Sequence, residues 1–341
     1  MLKYLLKDKT NLIFCLILII FYSCAIFAFC VAPYHYDDEF RQHSYAPPTR
    51  IHFWDHQGNF HFKPFIYAYE TRYNEFHQKI FSENHEKIYP IRFFLGGRLV
   101  GVKKPGRLYL LGADRYGRDI FSRILYGGQV SLFIGWLGAL ITFTLGMIIG
   151  GIAGYYGGKL DACLMRFCEI LMMIPSFYLM LSLRMIFPVQ MGSLAVFCMI
   201  IVILSLVGWA SLARVIRGQV LSLREREFVL AAIAFGKKPF YIITRHLLGH
   251  TLGFVSVALT MTIPSYILGE SALSLIGLGI QEPIPSWGNL LSDAMNISQL
   301  MLHPWILWPG IFILLTIMAF NQLGDQMRDA LDPKHQTLNS L

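Results

Sequence analysis

RVIRGQVLSLREREFVLAAIAFGKKPFYIITRHLLGH, from Arg214 to His250, is the stretch that decides the fold. It carries seven Lys/Arg (Arg214, Arg217, Arg224, Arg226, Lys237, Lys238 and Arg245), and long apolar runs bound it on both sides. Leu221 to Phe235 is built of good helix formers with acidic and basic residues interleaved. Gly236 can take the left-handed conformation that ends a helix, and Pro239 suits the first turn of the next one, expected to run to about Leu248. The pattern predicts a helix–turn–helix cassette lying at a membrane surface. Small Ala231 and Ala232 leave room for another surface to approach, while Gly236, Lys237 and Pro239 shape the turn. A charged helical cassette between two spans suggests a docking surface for a soluble partner. The ordered Ala-Ala, Gly and Pro argue against the blander reading of a positive-inside loop.

Outward from the cassette, the chain is apolar. Of its 341 residues, 55% are hydrophobic and 15% charged, with a mean hydropathy of +0.50. Soluble domains carry about 25% charged residues, so the composition predicts an all-α integral membrane protein. A net charge of +8 would suit nucleic acid, but the cations collect on one side of the spans, as a bilayer requires. The expected surroundings are lipid, with no nucleic acid. The six cysteines have no zinc-type spacing, and no pair sits in a polar loop to form a framework disulfide.

Six apolar runs are expected to span the membrane: about 12–32, 127–154, 164–183, 191–213, 251–276 and 305–323. The first, at about 20 residues, is long enough to cross the hydrocarbon core and longer than the apolar core of a cleaved signal peptide. Outside residues 33–126 the chain has fifteen Lys/Arg, and only Arg184 falls on the side opposite the other fourteen. Both termini are therefore expected in the cytoplasm. The 33–126 segment holds fourteen Lys/Arg against ten Asp/Glu, but it exceeds the ~60 residues over which the charge rule operates.

Within that external segment, Phe53, Trp54, Phe60, Phe62, Phe65, Tyr67, Tyr69 and Tyr73 make the aromatic content too high for a disordered linker. A small folded, β-rich element on the outer face is expected. Seven histidines lie in residues 33–109, but without cysteines or a paired motif they are expected to hold no metal. In the second run Gly146, Gly150 and Gly154 share one helix face and suit close helix packing.

Two acids lie inside spans, Glu169 and Glu270. Intramembrane carboxylates are costly and face the bundle interior or a water-filled path. Glu169 is one turn from Arg166, so a helix-surface ion pair and a role in a path both stay open. Glu270 has no basic neighbour in sequence. Pro175 and Pro264 can kink their spans and open irregular backbone towards a cavity. Catalytic constellations are absent from the sequence. There is no Gly-x-x-x-x-Gly-Lys-Ser/Thr, no metalloprotease His pair after His85-Glu86 and no Gly-x-Ser-x-Gly. A polytopic membrane enzyme or a scaffold, the rival classes, thus has no visible site, and no catalytic residue is expected.

The cassette resembles the EAA loop of ABC importer permeases, and the chain resembles their dipeptide/oligopeptide (DppC/OppC) family from about Leu111 to Pro333. LGADRYGRDIFSRILYGG (111–128) is similar to that family's entry segment, and AGYYGGKLDACLMR (153–166) to its link between the second and third spans. ESALSLIGLGIQEPIPSWGNLLSDA (270–294) and FNQLGDQMRDALDP (320–333) continue the match in the right order. In three places the chain departs. Leu230 replaces the motif's Glu, Gly249 its final Pro, and Ala113 the entry segment's Thr. The external segment is also longer than in common members.

The resemblance implies a type I importer permease fold. Its parts would be the N-terminal tail and first span (1–32), an extracytoplasmic segment (33–126), and a permease domain (127–341) with its coupling loop at 214–250. It also implies partners: a second homologous permease, two cytoplasmic ATPases holding ATP and Mg, and an extracytoplasmic binding protein. No cofactor is expected in this chain. The location implied is the bacterial inner membrane, and the cargo is di- or oligopeptide, with nickel chelates, opines and peptide antibiotics as alternatives within the family.

Overall fold

Inside a bilayer every backbone N–H and C=O must be satisfied within the segment, and the apolar runs of this chain accordingly form helices. The computed structural model describes residues 9–73, 75, 79–188 and 191–331. Residues 1–8 of the N-terminal tail and the last residues of the family resemblance, 332–333, lie outside the described residues. The long helices are α1 (Lys9–Ile26), α3 (Ile120–Tyr156), α6 (Ser193–Arg224), α9 (Leu248–Leu275) and α11 (Trp308–Leu331). A short α2 (Ala28–Val31) prolongs the first of them. Five helical stretches are long and apolar enough to cross a membrane, or six if a bent pair counts as one span.

That pair takes the place of the third apolar run, which the sequence allowed to kink at Pro175. α4 (Gly158–Met173) and α5 (Ser176–Ile186) meet at 92°. Pro175 sits in the break as the residue before α5, because its ring removes an N–H and disfavours helix for the residue ahead of it. Other boundaries also moved. α6 outruns its apolar stretch by a further turn and more, ending at Arg224. Its polar end is held: Arg217 Nε and Nη2 bind Asp161 at 2.9 and 2.5 Å, and Arg224 Nη1 donates to the Gly154 carbonyl at 3.3 Å.

By contacts the chain forms two units. The first comprises Met1–Leu18, Phe133–Glu270 and Thr316–Leu341. One of its close seams is the glycine face of α3. A Cβ on Gly146 would lie 2.7 Å from Leu212 and one on Gly154 2.8 Å from Val220, while one on Gly150 would overlap the Ala213 carbonyl oxygen. Three missing side chains thus let α6 lie directly on α3, as small residues do where lipid supplies no hydrophobic drive. Farther along α3, Gly138 receives the Tyr266 ring, whose hydroxyl is 2.6 Å from Thr142 Oγ1. Asn11 and Gln322 join α1 to α11 through a 3.2 Å side-chain bond.

Ile19–Leu132 and Ser271–Leu315 make up the second unit. Here residues 52–102 form one antiparallel sheet in the order β1 (His52–Trp54), β2 (Phe60–Tyr73), β3 (Lys79–Leu95), β4 (Arg98–Val102). β3 changes partner midway. Its first part pairs with β2 up to Phe65↔Pro90, and from Ile91↔Val102 onward it pairs with β4. Ile66, Ile91, Val102 and Leu108 make the core beneath. The β-rich expectation for this segment agrees with the sheet.

If the α3–α6 seam is as close as it stands, adding one methyl at Gly150 must push the helices apart. Overpacking costs about 1–3 kcal/mol, although alanine is the better helix former by roughly 1 kcal/mol. Gly150→Ala should therefore lower the melting midpoint in detergent. Gly218→Ala on α6, where nothing lies within 4 Å of the new Cβ, should hold or raise it. Equal midpoints for the two variants would mean that the seam is not close-packed.

Candidate functional site

The 225–250 cassette is built from its turn outward. α7 spans Glu227–Ala234 and ends at Phe235. Gly236 follows with φ +69°, donating its N–H to Ile233 O at 2.9 Å while Lys237 N–H reaches back to Ala232 O at 3.1 Å. These two bonds are the Schellman pair, which satisfies two of the orphan carbonyls at the helix end. Pro239 then stands at the first position of α8 (Pro239–Tyr241), which passes through a π-helical stretch (Ile242–Leu247) into α9. The sequence pattern had joined Leu221–Phe235 into one helix. Instead the chain breaks at Glu225 and Arg226, the latter extended at ψ 147°. The break frees α7 from the axis of α6, and Glu227 in its first turn complements the helix dipole.

Successive helical residues point 100° apart, so the two alanines do not share a face. Ala231 is exposed, while Ala232 is buried with Val229 against the rest of the cassette. The outward face carries large apolar groups instead: Leu230, Ile233, Phe235 (83% exposed) and, across the turn, Phe240 (78%). Phe228 stacks on His250 with centroids 4.9 Å apart, and Lys237 Nζ lies 5.4 Å from the Tyr241 ring centre. Phe235 and Phe240 were missed from sequence because they read as ordinary apolar members of helix patterns. Only their position beside a left-handed glycine and a helix-initiating proline put them on the outside. These exposed apolar groups flank the turn that carries the exposed Lys237 and Lys238.

The four intramembrane candidates fall in two places. Glu169 on α4 is paired with Arg166 at 3.2 Å and is partly exposed, and Pro175 marks the α4–α5 break. Pro264 and the fully buried Glu270 lie on α9. Near Glu270, Gly269 lets α9 approach Leu204 of α6 and Met180 of α5; a Cβ there would meet them at 2.9 and 3.5 Å.

In the second unit the structure assembles a charge network that the sequence did not announce. In GADRYGRD (112–119), Asp114 Oδ1 accepts from the Tyr116 and Arg118 backbone N–H groups, and Oδ2 takes Arg118 Nε at 2.8 Å and Arg123 Nη1 at 2.6 Å. Both guanidiniums then reach Glu282 at 2.7–3.1 Å. The turn is possible because Gly112 (φ +88°) and Gly117 (φ +74°) lie against Trp305 and the Phe40 carbonyl, where any Cβ would collide. Two nearly buried arginines are tolerable only because each has carboxylate partners. Asp119, beside them, accepts from Ser122 N and Oγ at the start of α3. Burial pushes its carboxyl up to about 7.

The geometry defines a polytopic helical membrane protein with an exposed helical cassette between two long apolar helices. The chain belongs to the family of binding-protein-dependent transport system inner membrane components, whose model matches residues 146–336. The N-terminal membrane domain of oligopeptide transport permease C matches residues 1–48. The chain is 44% identical over 231 residues to the dipeptide transport system permease protein DppC of Bacillus subtilis, covering 67% of this chain and 70% of that one. It is 43% identical over 227 residues to the oligopeptide transport system permease protein OppC of Haemophilus influenzae, covering 66% and 70%. Among solved structures it is similar to the inward-facing MetNI methionine ABC transporter, with a TM-score of 0.45 at 17% identity over 61% of this chain and 97% of that one.

Nothing lies within 4 Å of a Cβ placed on Gly236, so replacing it strains only the backbone. A left-handed non-glycine residue costs about 1–2 kcal/mol, and Gly236→Val more, because of β-branching. Hydrogen exchange of residues 227–237 should accelerate by about fivefold or more, the equivalent of that cost, with α3 and α6 unchanged. Gly249→Ala, a helical site with open space and no positive φ, should leave exchange unaltered. If the Gly236→Val chain keeps wild-type protection, the left-handed cap does not hold the cassette.

Proposed function

We propose that this chain is a permease subunit of an ABC importer for di- or oligopeptides, and that its cassette transmits ATP-driven motion to the spans. The carrying observation is the exposed face Leu230–Ile233–Phe235–Phe240, on a helix capped at Gly236 and set between two long apolar helices. Family membership and the named relatives supply the class and the cargo. In this reading two cytoplasmic ATPase subunits hold ATP and Mg, a second homologous permease completes the membrane pore, and an extracytoplasmic binding protein delivers the peptide. The chain itself carries no catalysis. Both termini and the cassette face the cytoplasm of a bacterial inner membrane, while residues 33–126 face outward, where their sheet receives the binding protein. Ala231, Gly236, Lys237 and Pro239 shape the docking surface and Ala232 anchors it from beneath. Glu169, Pro175, Pro264 and Glu270 border the path through the spans, where polar groups and broken helices are tolerated.

Two measurements test this reading. Cysteine accessibility should find Gln57 and Asn84 labelled from outside and Lys237 only after permeabilisation; an externally labelled Lys237 would overturn the topology. In the reconstituted complex of both permeases, the ATPases and loaded binding protein, Phe235→Asp should abolish the stimulation of ATP hydrolysis while leaving chain levels unchanged. It places a charge in what would be a desolvated interface, where removing or unpairing one hot-spot group costs about 2 kcal/mol or more. Full stimulation by the variant would leave the cassette without a coupling role.

A further inference from the structure

A cationic cavity sits where the first span ends. It has a volume of about 660 Å3, and its walls include Pro33 and Tyr34, one and two residues past Ala32, together with Arg98, Lys103, Lys104 and Arg107. Asp38 is the one acid in the lining. Two of the cations are fixed in place. Arg98 Nη1 donates to the Pro33 carbonyl, and the Arg107 guanidinium stands 4.3 Å from the Phe40 ring centre and 5.6 Å from that of Tyr34. Tyr34 is itself held, its oxygen accepting the Leu108 N–H at 2.7 Å and its own N–H donating to Ser122 Oγ at 3.1 Å. Lys103 and Lys104 are exposed at the rim. The arrangement pairs pre-set guanidiniums, which suit two oxygens of one anion, with mobile ammonium groups, which act as point charges.

The level of the cavity relative to lipid follows from the same unit. α2, the last turn of the first span, packs against β4, so the sheet begins where the hydrocarbon ends. Along the span exposed apolar residues continue to its C-terminal end, with Ile26, Phe27 and Phe29 about half exposed or more. At the β3–β4 turn, Phe93 and Phe94 are 63% and 78% exposed, and Phe94 is held at φ +55°, a conformation uncommon for a non-glycine residue. Large rings left bare beside a membrane exit are the composition of an interfacial aromatic belt. Four cations beside that belt attract acidic headgroups.

We infer that this cavity binds a phosphate-bearing anion, and that the anion is the headgroup of an acidic phospholipid in the adjoining leaflet, with the β3–β4 turn seated on the same leaflet. The inference rests on the first span crossing the bilayer, and it is independent of what the transporter carries. The lipid would fix the sheet to the bilayer without covalent attachment.

The test uses the full-length chain purified in neutral detergent, with lipid retention read by native mass spectrometry. The wild type should retain phosphatidylglycerol well above phosphatidylcholine. Each Lys near an acidic lipid surface is worth about fivefold in affinity, so Lys103→Gln with Lys104→Gln should cut phosphatidylglycerol retention on the order of tenfold or more, with phosphatidylcholine unchanged. Phe94→Ser, which alters no charge, should lower retention of both lipids. Inorganic phosphate at matched ionic strength should compete weakly. Phosphate that binds alone as tightly as the lipid and displaces it fully would make this a soluble-anion site and overturn the lipid assignment. Equal retention of the two lipids, or no effect of the double variant, would overturn the site altogether. Peptide uptake is not the readout, so failure of the importer reading would show separately, in the ATPase assay.

Discussion

The distance between α3 and α6 is the constraint on which the first unit depends. Lipid tails are as apolar as the side chains they surround, so helices in a bilayer gain little from burial and associate through close contact. Gly146, Gly150 and Gly154 provide that contact, with the Ala213 carbonyl lying where a Cβ at Gly150 would stand. Just beyond the seam, Arg217 and Asp161 tie α6 to α4, and Arg224 reaches the Gly154 carbonyl. The course of α6 is therefore set along its length before the chain breaks at Glu225 and Arg226. The cassette that follows inherits its position from that seam, and a displacement of α6 would carry α7 with it.

The second unit is held by a different interaction. Arg118 and Arg123 are almost fully buried, and removing water from a guanidinium costs several kcal/mol unless carboxylates replace it. Asp114 and Glu282 do so, which locks the 112–119 turn to the segment after α9. Close by, Ser286 and Asn289 form a reciprocal capping box at α10 (Trp287–Leu290), and Trp287 Nε1 donates to the Ile124 carbonyl at 2.9 Å. Arg118→Met or Glu282→Leu alone would strand the opposite charge, so these residues are expected to tolerate paired replacement better than single replacement.

Much of this architecture was legible because each signal had one physical reading. An apolar run of about 20 residues is a helix in a bilayer, glycines four apart make one face, and Gly then Pro three residues on close one helix and open another. What escaped the sequence was whatever depended on direction. Ala231 and Ala232 look equivalent as letters but point about 100° apart, so one is outside and one is buried. Phe235 and Phe240 look like core and are the most exposed rings of the cassette. The Arg118–Glu282 contacts join residues 164 positions apart, beyond the reach of any local spacing. The bend at Pro175 was anticipated in place but not in size, since a proline specifies a break and the packing around it sets the angle.

The central claim is that the outward face of α7 and its turn meets an ATPase subunit while the inward face does not. Site-specific disulfide or bismaleimide cross-linking in the assembled transporter tests it most directly, using single cysteines at Phe235, Ala231 and Ala232 in a cysteine-free chain with one cysteine in the facing groove of the ATPase. The account predicts cross-links from Phe235→Cys and Ala231→Cys that change in yield between nucleotide-free and ATP-bound complexes, and none from Ala232→Cys. Cross-linking from Ala232→Cys alone, or no nucleotide-dependent product from the two exposed positions, would contradict it.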